Sequence, residues 1–375
     1  MRRWLINTFH LGRKEIASLA SDTVLAVFIV YSFSFSVYSI ATGIKTEVHN
    51  ALIAVVDSDH SVLSARVRDA LLAPQFRPAR LIDRADVDSL MDRSAVTFVI
   101  DIPPRLEPDV LRGRAPAMQL NIDATAMTQA GVGGSYVDGI MQQEATSYLN
   151  SAGIEAQLPV AAVPRAFFNP NLEGMWFHAI DAVLENITML SILLAGAAVI
   201  RERERGTIEH LLVMPVRAGE IAAAKIWANG LVILVATGLS LTLVVGKLLA
   251  VPIAGSLPLF LAGTALYLFA TTSLGILLAT IARTMPQFAL LAIPAFMILN
   301  MLSGAISPLE AMPPLLQTVL QASPTMHYMA FAQSVLFRAA GIEVVWPHAA
   351  AFGAIGMLFL AAALARFRTM LAQAQ

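Results

Sequence analysis

No cysteine occurs anywhere in the 375 residues. Disulfides, thiolate metal sites and cysteine nucleophiles are therefore excluded. Charge is also scarce: Asp, Glu, Lys and Arg make up 14% of the chain, against about 25% in ordinary soluble domains. A formal net charge of −1 leaves no basic footprint, so nucleic acid is not an expected partner. A phosphate-cradling Gly-x-x-x-x-Gly-Lys-[Ser/Thr] loop is missing; neither Gly43-Ile44-Lys45-Thr46 nor Gly246-Lys247-Leu248 meets it. Nucleotide chemistry, where it is needed, falls to another chain. His-Glu-x-x-His zinc signatures, nucleophile elbows and Ser-x-x-Lys pairs are absent too, and the seven histidines are scattered. No catalytic residue, metal site or cofactor bound by this chain is expected, and it is not read as an enzyme. His49, Asp57, Asp59 and His60 could gather around a metal, but surface Asp and His near a strand end are ordinarily solvated turn residues.

What is present is apolar. Hydrophobic residues make up 57% of the chain. Six segments have the length of a membrane-spanning helix, about 20 residues: Thr23–Gly43, Trp176–Ile200, Ile226–Val245, Leu257–Ala282, Gln287–Ile306 and Val345–Ala365. Ser39-Ile40-Ala41 imitates a signal-peptidase site, but the apolar run before it is longer than a signal core of about 7–15 residues and starts too late. It is read as a retained helix. Of fourteen Lys and Arg outside Lys45–Glu173, twelve fall on one set of faces: Arg2, Arg3, Arg13, Lys14, Arg201, Arg203, Arg205, Arg217, Lys225, Arg283, Arg366 and Arg368. The positive-inside bias makes that face cytoplasmic and places both termini there, as six crossings require. Ahead of the first span, Leu5, Phe9, Gly12, Ile16 and Leu19 recur at helical spacing opposite Arg3, Asn7, His10 and Lys14. An amphipathic helix of residues 1–22, lying in the interface against membrane lipid, is expected.

Residues 44–174 differ from the rest. Lys45–Glu173 carries sixteen of the twenty-six acids. Leu52–Asp57, Ala95–Asp101 and Met118–Asp123 read as strands, Val62–Leu72 and Thr128–Asn150 as helices, the latter preceded or interrupted by Gly131, Gly133 and Gly134. The expected fold class is thus an α-helical polytopic membrane protein of six transmembrane helices, with a mixed α/β extracytoplasmic domain inserted between helices 1 and 2. Residues 175–370 would hold helices 2–6. Gly263, Thr264, Thr271, Thr272, Ser273 and Gly275 suit close packing between helices, and Pro294 can kink the fifth, with packing the plainer role for all of them.

Residues 201–217 join two spans with more than a turn requires. Arg201-Glu202-Arg203-Glu204-Arg205-Gly206-Thr207-Ile208-Glu209-His210-Leu211-Leu212-Val213-Met214-Pro215 alternates charge, then offers apolar residues on a stretch too short to cross a membrane. The arginines alone fit a stop-transfer anchor. The ordered Glu-Arg-Glu-Arg-Gly-Thr-x-Glu-x-Leu pattern ending at Pro215 resembles the cytoplasmic coupling segment of type-2 ATP-binding-cassette exporter permeases. The order strand, Asp, helix, strand, Pro103-Pro104, strand resembles the extracytoplasmic domain of that family's multidrug-export branch. The resemblance covers most of the chain. It implies that Arg203, Glu204, Arg205, Gly206, Thr207, Glu209, Leu211 and Pro215 couple the chain to a separate ABC ATPase, through which alone ATP-Mg acts. It also implies a second permease subunit, identical or paralogous, residence in a bacterial inner membrane, and in two-membrane bacteria a periplasmic adaptor. The punctuation Ser303-Gly304, Pro308, Met312-Pro313-Pro314, Pro324, Tyr328, Arg338 and Gly341 resembles the family's outer-leaflet re-entrant helices at about 308–340, which sit above the translocation path. Ser303, Gly304 and Tyr328 are path residues on that basis; an outer surface loop is the plainer reading. Asp181 and Glu185, four residues apart on one helix face, complete the candidates, since carboxylates in a bilayer usually face an interior or a water-filled path. The alternative for both is an interfacial position. The expected function is export of amphipathic or hydrophobic compounds. The rivals are a mechanotransmission subunit that moves no substrate, or a receptor or scaffold acting through the α/β domain.

Overall fold

The computed structural model describes residues 2–43, 50–93, 95–114, 116–123, 127–153, 173–206, 217–304 and 312–372. The chain clusters into two compact units, Met1–Thr42 with Trp176–Gln375, and Gly43–Met175.

The first unit begins with α1 (Arg2–Ser21), stopped at Asp22, whose side chain accepts the Leu25 N–H and caps α2 (Thr23–Gly43). Ser32–Ser36 within α2 forms a π-helical stretch.

The second unit is built on β1 (Ile53–Asp57), α3 (Val62–Asp69), β2 (Arg80–Leu81), α4 (Val87–Asp92), β3 (Phe98–Ile102), α5 (Leu106–Leu111), β4 (Gln119–Ile122) and α6 (Met127–Ser151). Strand order is β2-β1-β3-β4; β1 runs parallel to β2 and β3, while β4 is antiparallel to β3. The parallel strands β1 and β3 are covered on both faces, hence their unbroken apolar runs. Ile53, Val55, Phe98 and Ile100 pack with Leu63, Val67, Leu106 and Val137. Ala54, Val56 and Val99 point the other way, onto Leu90 and Met91. The glycines do not break α6. A Cβ at Gly133 would sit 2.2 Å from the Phe98 ring, so this residue lets the helix lie against the sheet.

The chain returns to the first unit in α7 (Gly174–Glu204), followed by α8 (Ala218–Leu248, π-helical over Ser240–Leu248), α9 (Leu257–Ile281), α10 (Met285–Met301), α11 (Pro314–Leu320), α12 (Pro324–Leu336) and α13 (Ile342–Ala372). Among the described residues, five helices are long and apolar enough to cross a membrane: α2, α7, α8, α9 and α13 over Ile342–Arg366. The segment read as the fifth span is an apolar helix of 17 residues, shorter than the 287–306 expected. It starts after Thr284, and the chain turns at Ser303-Gly304, where Gly304 takes φ +86°. The innermost span is α7, with 78% of its apolar window buried against 17% in α13.

Small residues set how closely α7 and α9 approach. A Cβ on Gly275 would lie 2.4 Å from the Ile192 carbonyl oxygen, whereas one on Gly230 would meet nothing closer than 3.8 Å. Gly275→Val is therefore expected to force these helices apart and destabilise the bundle by about 1–3 kcal/mol. Gly230→Ala should be neutral or slightly stabilising, because alanine is the better helix former. Thermal unfolding of both variants in detergent checks the contrast; equal midpoints would refute it.

Candidate functional site

Each charged residue at the end of α7 finds a different neighbour, because successive side chains fan around a helix. An Nη1 of Arg201 lies 3.6 Å from Asp22 at the start of α2. Glu202 lies 2.9 Å from Lys225 on α8 and 3.6 Å from Lys14 on α1. Arg203 donates to the Ala282 carbonyl at the end of α9, at 2.9 Å. Glu204 accepts the Met285 N–H at the start of α10, at 2.8 Å. The last two place a cation at a helix C-terminus and an anion at a helix N-terminus, both favoured by the helix dipole. The alternating charges thus brace the base of the bundle. After them the helix stops: Arg205 is exposed, and Gly206 adopts φ +68°, a left-handed conformation that lets the chain leave the helix axis. Thr207, Glu209, Leu211 and Pro215 lie outside the described residues.

The chain re-enters at α8, whose first turn is capped by Glu220; its carboxylate accepts the Arg217 N–H at 2.9 Å. Glu220 is buried and meets Asn7 of α1 at 3.5 Å. Farther along, Trp227 stacks on Phe9 with ring centroids 5.9 Å apart and donates to the Thr8 carbonyl at 3.2 Å. A Cβ at Gly12 would fall 2.1 Å from the Trp227 ring. The apolar stripe of α1 is consequently split. Gly12 and Leu19 are buried, while Leu5 and Phe9 remain 57% and 58% exposed.

Higher in the bundle, Glu185 on α7 accepts a hydrogen bond from the Asn300 side chain of α10. Asp181 lies one turn away, and its Oδ1 is buried without a partner among the described residues, as is His178 Nε2. Asn186 donates to the Ser32 carbonyl of α2 at 2.8 Å, where the π-helical stretch begins. The structure therefore brings Asp181, Glu185 and Asn300 into one polar strip. Ser303 is buried beyond the end of α10. Tyr328, on α12, is 1% exposed, stacked on Tyr267 at 3.8 Å between centroids, with its hydroxyl paired to Thr264 at 2.9 Å. The Tyr267 hydroxyl in turn meets Thr188 at 2.9 Å and Thr325 at 3.1 Å. These contacts fix α12 against α7 and α9, and leave Tyr328 almost no exposed surface.

In the second unit the carboxylates near β1 are committed to the backbone. Asp57 accepts from the Asp59 and His60 N–H groups at 3.0 and 2.9 Å, and from the Ser64 hydroxyl at 2.8 Å. Asp59 accepts from the first turn of α5 at Glu107 N–H, 3.1 Å, while Glu107 accepts from α3 at Leu63 N–H, 3.2 Å. Burial opposes both charges. Hydrogen bonds from Ser61 and from backbone N–H groups of Glu107, Arg105 and Leu106 outweigh it at Asp59 and hold its pKa below the ordinary value. At Glu107, hydrogen bonds from Tyr148, Leu63, Ser61 and Val62 do the same. Carboxylates so occupied have little capacity for a metal, and among the described residues no group of three or more His, Asp or Glu is arranged to hold one. His49 lies outside the described residues.

Sequence reasoning misses Glu15, Glu220 and Asn300, and reads Glu202 only as part of the charge alternation and Lys225 only as one base of the positive face. The place of Lys225 seven residues into α8, beyond any headgroup anchor at the helix start, was the available signal.

Comparison with known proteins agrees with this architecture. Residues 20–365 match the family described as ABC-2 family transporter protein. The chain is similar to the inner membrane transport permease YhhJ of Escherichia coli K12, 47% identical over 366 residues that cover 98% of each protein. It is also similar to two proteins of the same organism named probable multidrug ABC transporter permeases. YbhR is 25% identical, over 90% of this chain and 91% of YbhR; YbhS is 27% identical, over 84% of this chain and 79% of YbhS. With a family match along most of its length and a near-complete relative well above 30% identity, this polytopic helical chain belongs to the ABC-2 family of transport permeases.

Proposed function

We propose that this permease is the membrane-spanning subunit of an exporter for amphipathic or hydrophobic compounds, driven by a separate ATPase subunit that docks on residues 201–217. The observation that carries the reading is the family match over residues 20–365. The names of YbhR and YbhS support the multidrug class of cargo. Two permease copies, identical or paralogous, would enclose the path, in a bacterial inner membrane, with a periplasmic adaptor where a second membrane exists.

Six crossings are part of this reading. With 17 residues at about 1.5 Å each, α10 is about 25 Å long, at the lower edge of spanning length. Counting it as a span puts both termini and residues 201–217 on the basic, cytoplasmic side and the α/β unit outside. ATP-driven closure of the partner would then move the segment after Gly206. Arg203 and Glu204 would pass that movement to the α9–α10 turn, and so to the strip containing Asp181 and Glu185. Ser303 and Gly304 would border the path at the end of α10, and Tyr328 would support its wall from behind.

The chain stripped of any ATPase is expected to show no saturable ATP binding, since it has no phosphate loop. Reconstituted with its ATPase in liposomes, it should move ethidium, a cationic amphipathic dye, only when ATP is supplied. Millimolar or tighter ATP binding by the pure chain, or dye movement indifferent to ATP, would overturn the reading.

A further inference from the structure

Lys225 is the most deeply buried cation among the described residues, 2% exposed, about 10 Å into α8 at about 1.5 Å per residue. A lysine so placed near a membrane surface would ordinarily extend its amine toward the headgroups. Here the amine turns into the bundle. It meets Glu15 of α1 at 3.0 Å and Glu202 of α7 at 2.9 Å, and lies 3.4 Å from the Ala198 carbonyl. Both carboxylates are largely buried, with side chains 13% and 16% exposed.

The base shares one apolar core, in which Ile221 and Ala222 of α8 pack with Val199 and Ile200 of α7 and with Ala279 and Ala282 at the end of α9. Its directional polar contacts other than Lys225 fall mainly into two groups. Independently of Lys225, α1 is fastened to α8 by Trp227 on Phe9 and Thr8, and by Glu220 on Asn7. The end of α7 is likewise fastened to the α9–α10 turn through Arg203 and Glu204. Residues 207–216 leave from one group and arrive at the other. The apolar core holds the two groups together but is non-directional, so a polar tie between them is what fixes their register against a push on that segment. Lys14–Glu202 and Arg201–Asp22 are further ties, both at 3.6 Å, but Lys14 is 60% and Asp22 38% exposed, and exposed pairs hold weakly. A desolvated charge with two partners has few alternative positions, which suits a joint that must hold one arrangement.

Resting on the permease reading above, we infer that Lys225 is a positioning residue for energy coupling. It locks α1, α8 and the end of α7 into a single body, so that displacement of residues 207–216 moves the spans together.

The absence of cysteine allows a direct test. Nitroxide labels at Ala17→Cys and Arg205→Cys, both exposed positions, report the separation of α1 from the end of α7 in nanodiscs. The parent should give one narrow distance distribution. Lys225→Met should at least double its width, and Lys225→Arg should restore it. In liposomes holding the permease and its ATPase, ethidium moved per ATP hydrolysed should fall about tenfold in Lys225→Met and by less than about twofold in Lys225→Arg. The ratio separates coupling from mere loss of folded protein, which lowers both quantities together. Where Lys225→Met fails to reach the membrane, Lys225→Met/Glu15→Gln/Glu202→Gln leaves no bare buried charge and should show the same loss of ratio. An unchanged distance distribution, or a ratio within about twofold of the parent, overturns the inference. A parent that moves no ethidium with ATP overturns the permease reading instead, and the distance measurement still decides whether Lys225 is the joint.

Discussion

Leu211→Asp is expected to abolish ATP-driven export while leaving the permease folded and in the membrane. Leu211 is one of a short apolar group, Leu211-Leu212-Val213, in a stretch of sequence flanked by charged residues and followed by Pro215. Filling an apolar pocket on a partner with a leucine contributes about 1.5–3 kcal/mol, and placing a carboxylate there reverses the sign, since a charge resists desolvation without a counter-ion. A net change of about 3–4 kcal/mol weakens association by two to three orders of magnitude, at about 1.4 kcal/mol for each factor of ten. The fold should be spared because the braces of the helix base lie outside this segment: Arg203 to Ala282, Glu204 to Met285 and Glu220 to the start of α8. Leu211→Met, similar in volume and apolarity, should retain most activity. Co-purification with the ATPase, unfolding temperature and dye export are the measurements. Normal assembly and export by Leu211→Asp would disprove the coupling role of the segment.

Much of the architecture was legible in short-range pattern. The β-branched run Ile53–Asp57 and the run Phe98–Ile102 lie inside or beside the stretches read as strands, because buried parallel strands need no alternation to be recognised. Thr23–Gly43 matches α2 at both ends, since length and apolarity suffice for a span. Gly131, Gly133 and Gly134, read as preceding or interrupting the 128–150 helix, lie inside α6 without breaking it. Gly133 answers to the Phe98 ring, a residue 35 positions earlier, which no local rule contains. The same limit explains the site. Asp181 and Glu185 were visible as one helix face because the spacing lies within a single element. Asn300, Lys225 and Glu15 were not, because their partners come from helices far away in the chain, and pairing across such distances is set by packing. The acid–base alternation of 201–205 was legible as unusual. Its division into four separate contacts, to α2, α8 with α1, α9 and α10, was not.

Glu185→Gln is expected to lower export of cationic compounds about tenfold while changing export of neutral ones by less than about twofold. Counting from Ile200 at about 1.5 Å per residue, Glu185 stands about 22 Å from that end of the apolar run, within a hydrocarbon layer about 30 Å thick. An ionisable side chain at such a depth costs about 2.5–3.5 kcal/mol near a helix centre, so it persists where an interior partner or a wetted path receives it. Asn300 supplies one hydrogen bond, and Asp181, one turn away with a buried unpartnered oxygen, extends the acceptor surface. No cation among the described residues is paired with either carboxylate, which leaves them able to attract a positively charged substrate. Glutamine keeps the size and the hydrogen-bonding ability toward Asn300, yet removes the charge. Loss of an ionic contribution near 1.4 kcal/mol corresponds to the tenfold drop, confined to substrates that carry the complementary charge. Asp181→Asn should act in the same direction, and the double variant by less than the product of the two, because both face one strip. Export of ethidium beside a neutral dye of similar size, at equal permease level and equal ATP hydrolysis, measures the selectivity. Equal loss of both dyes would mark Glu185 as a packing residue, and no loss of either would place it outside the path.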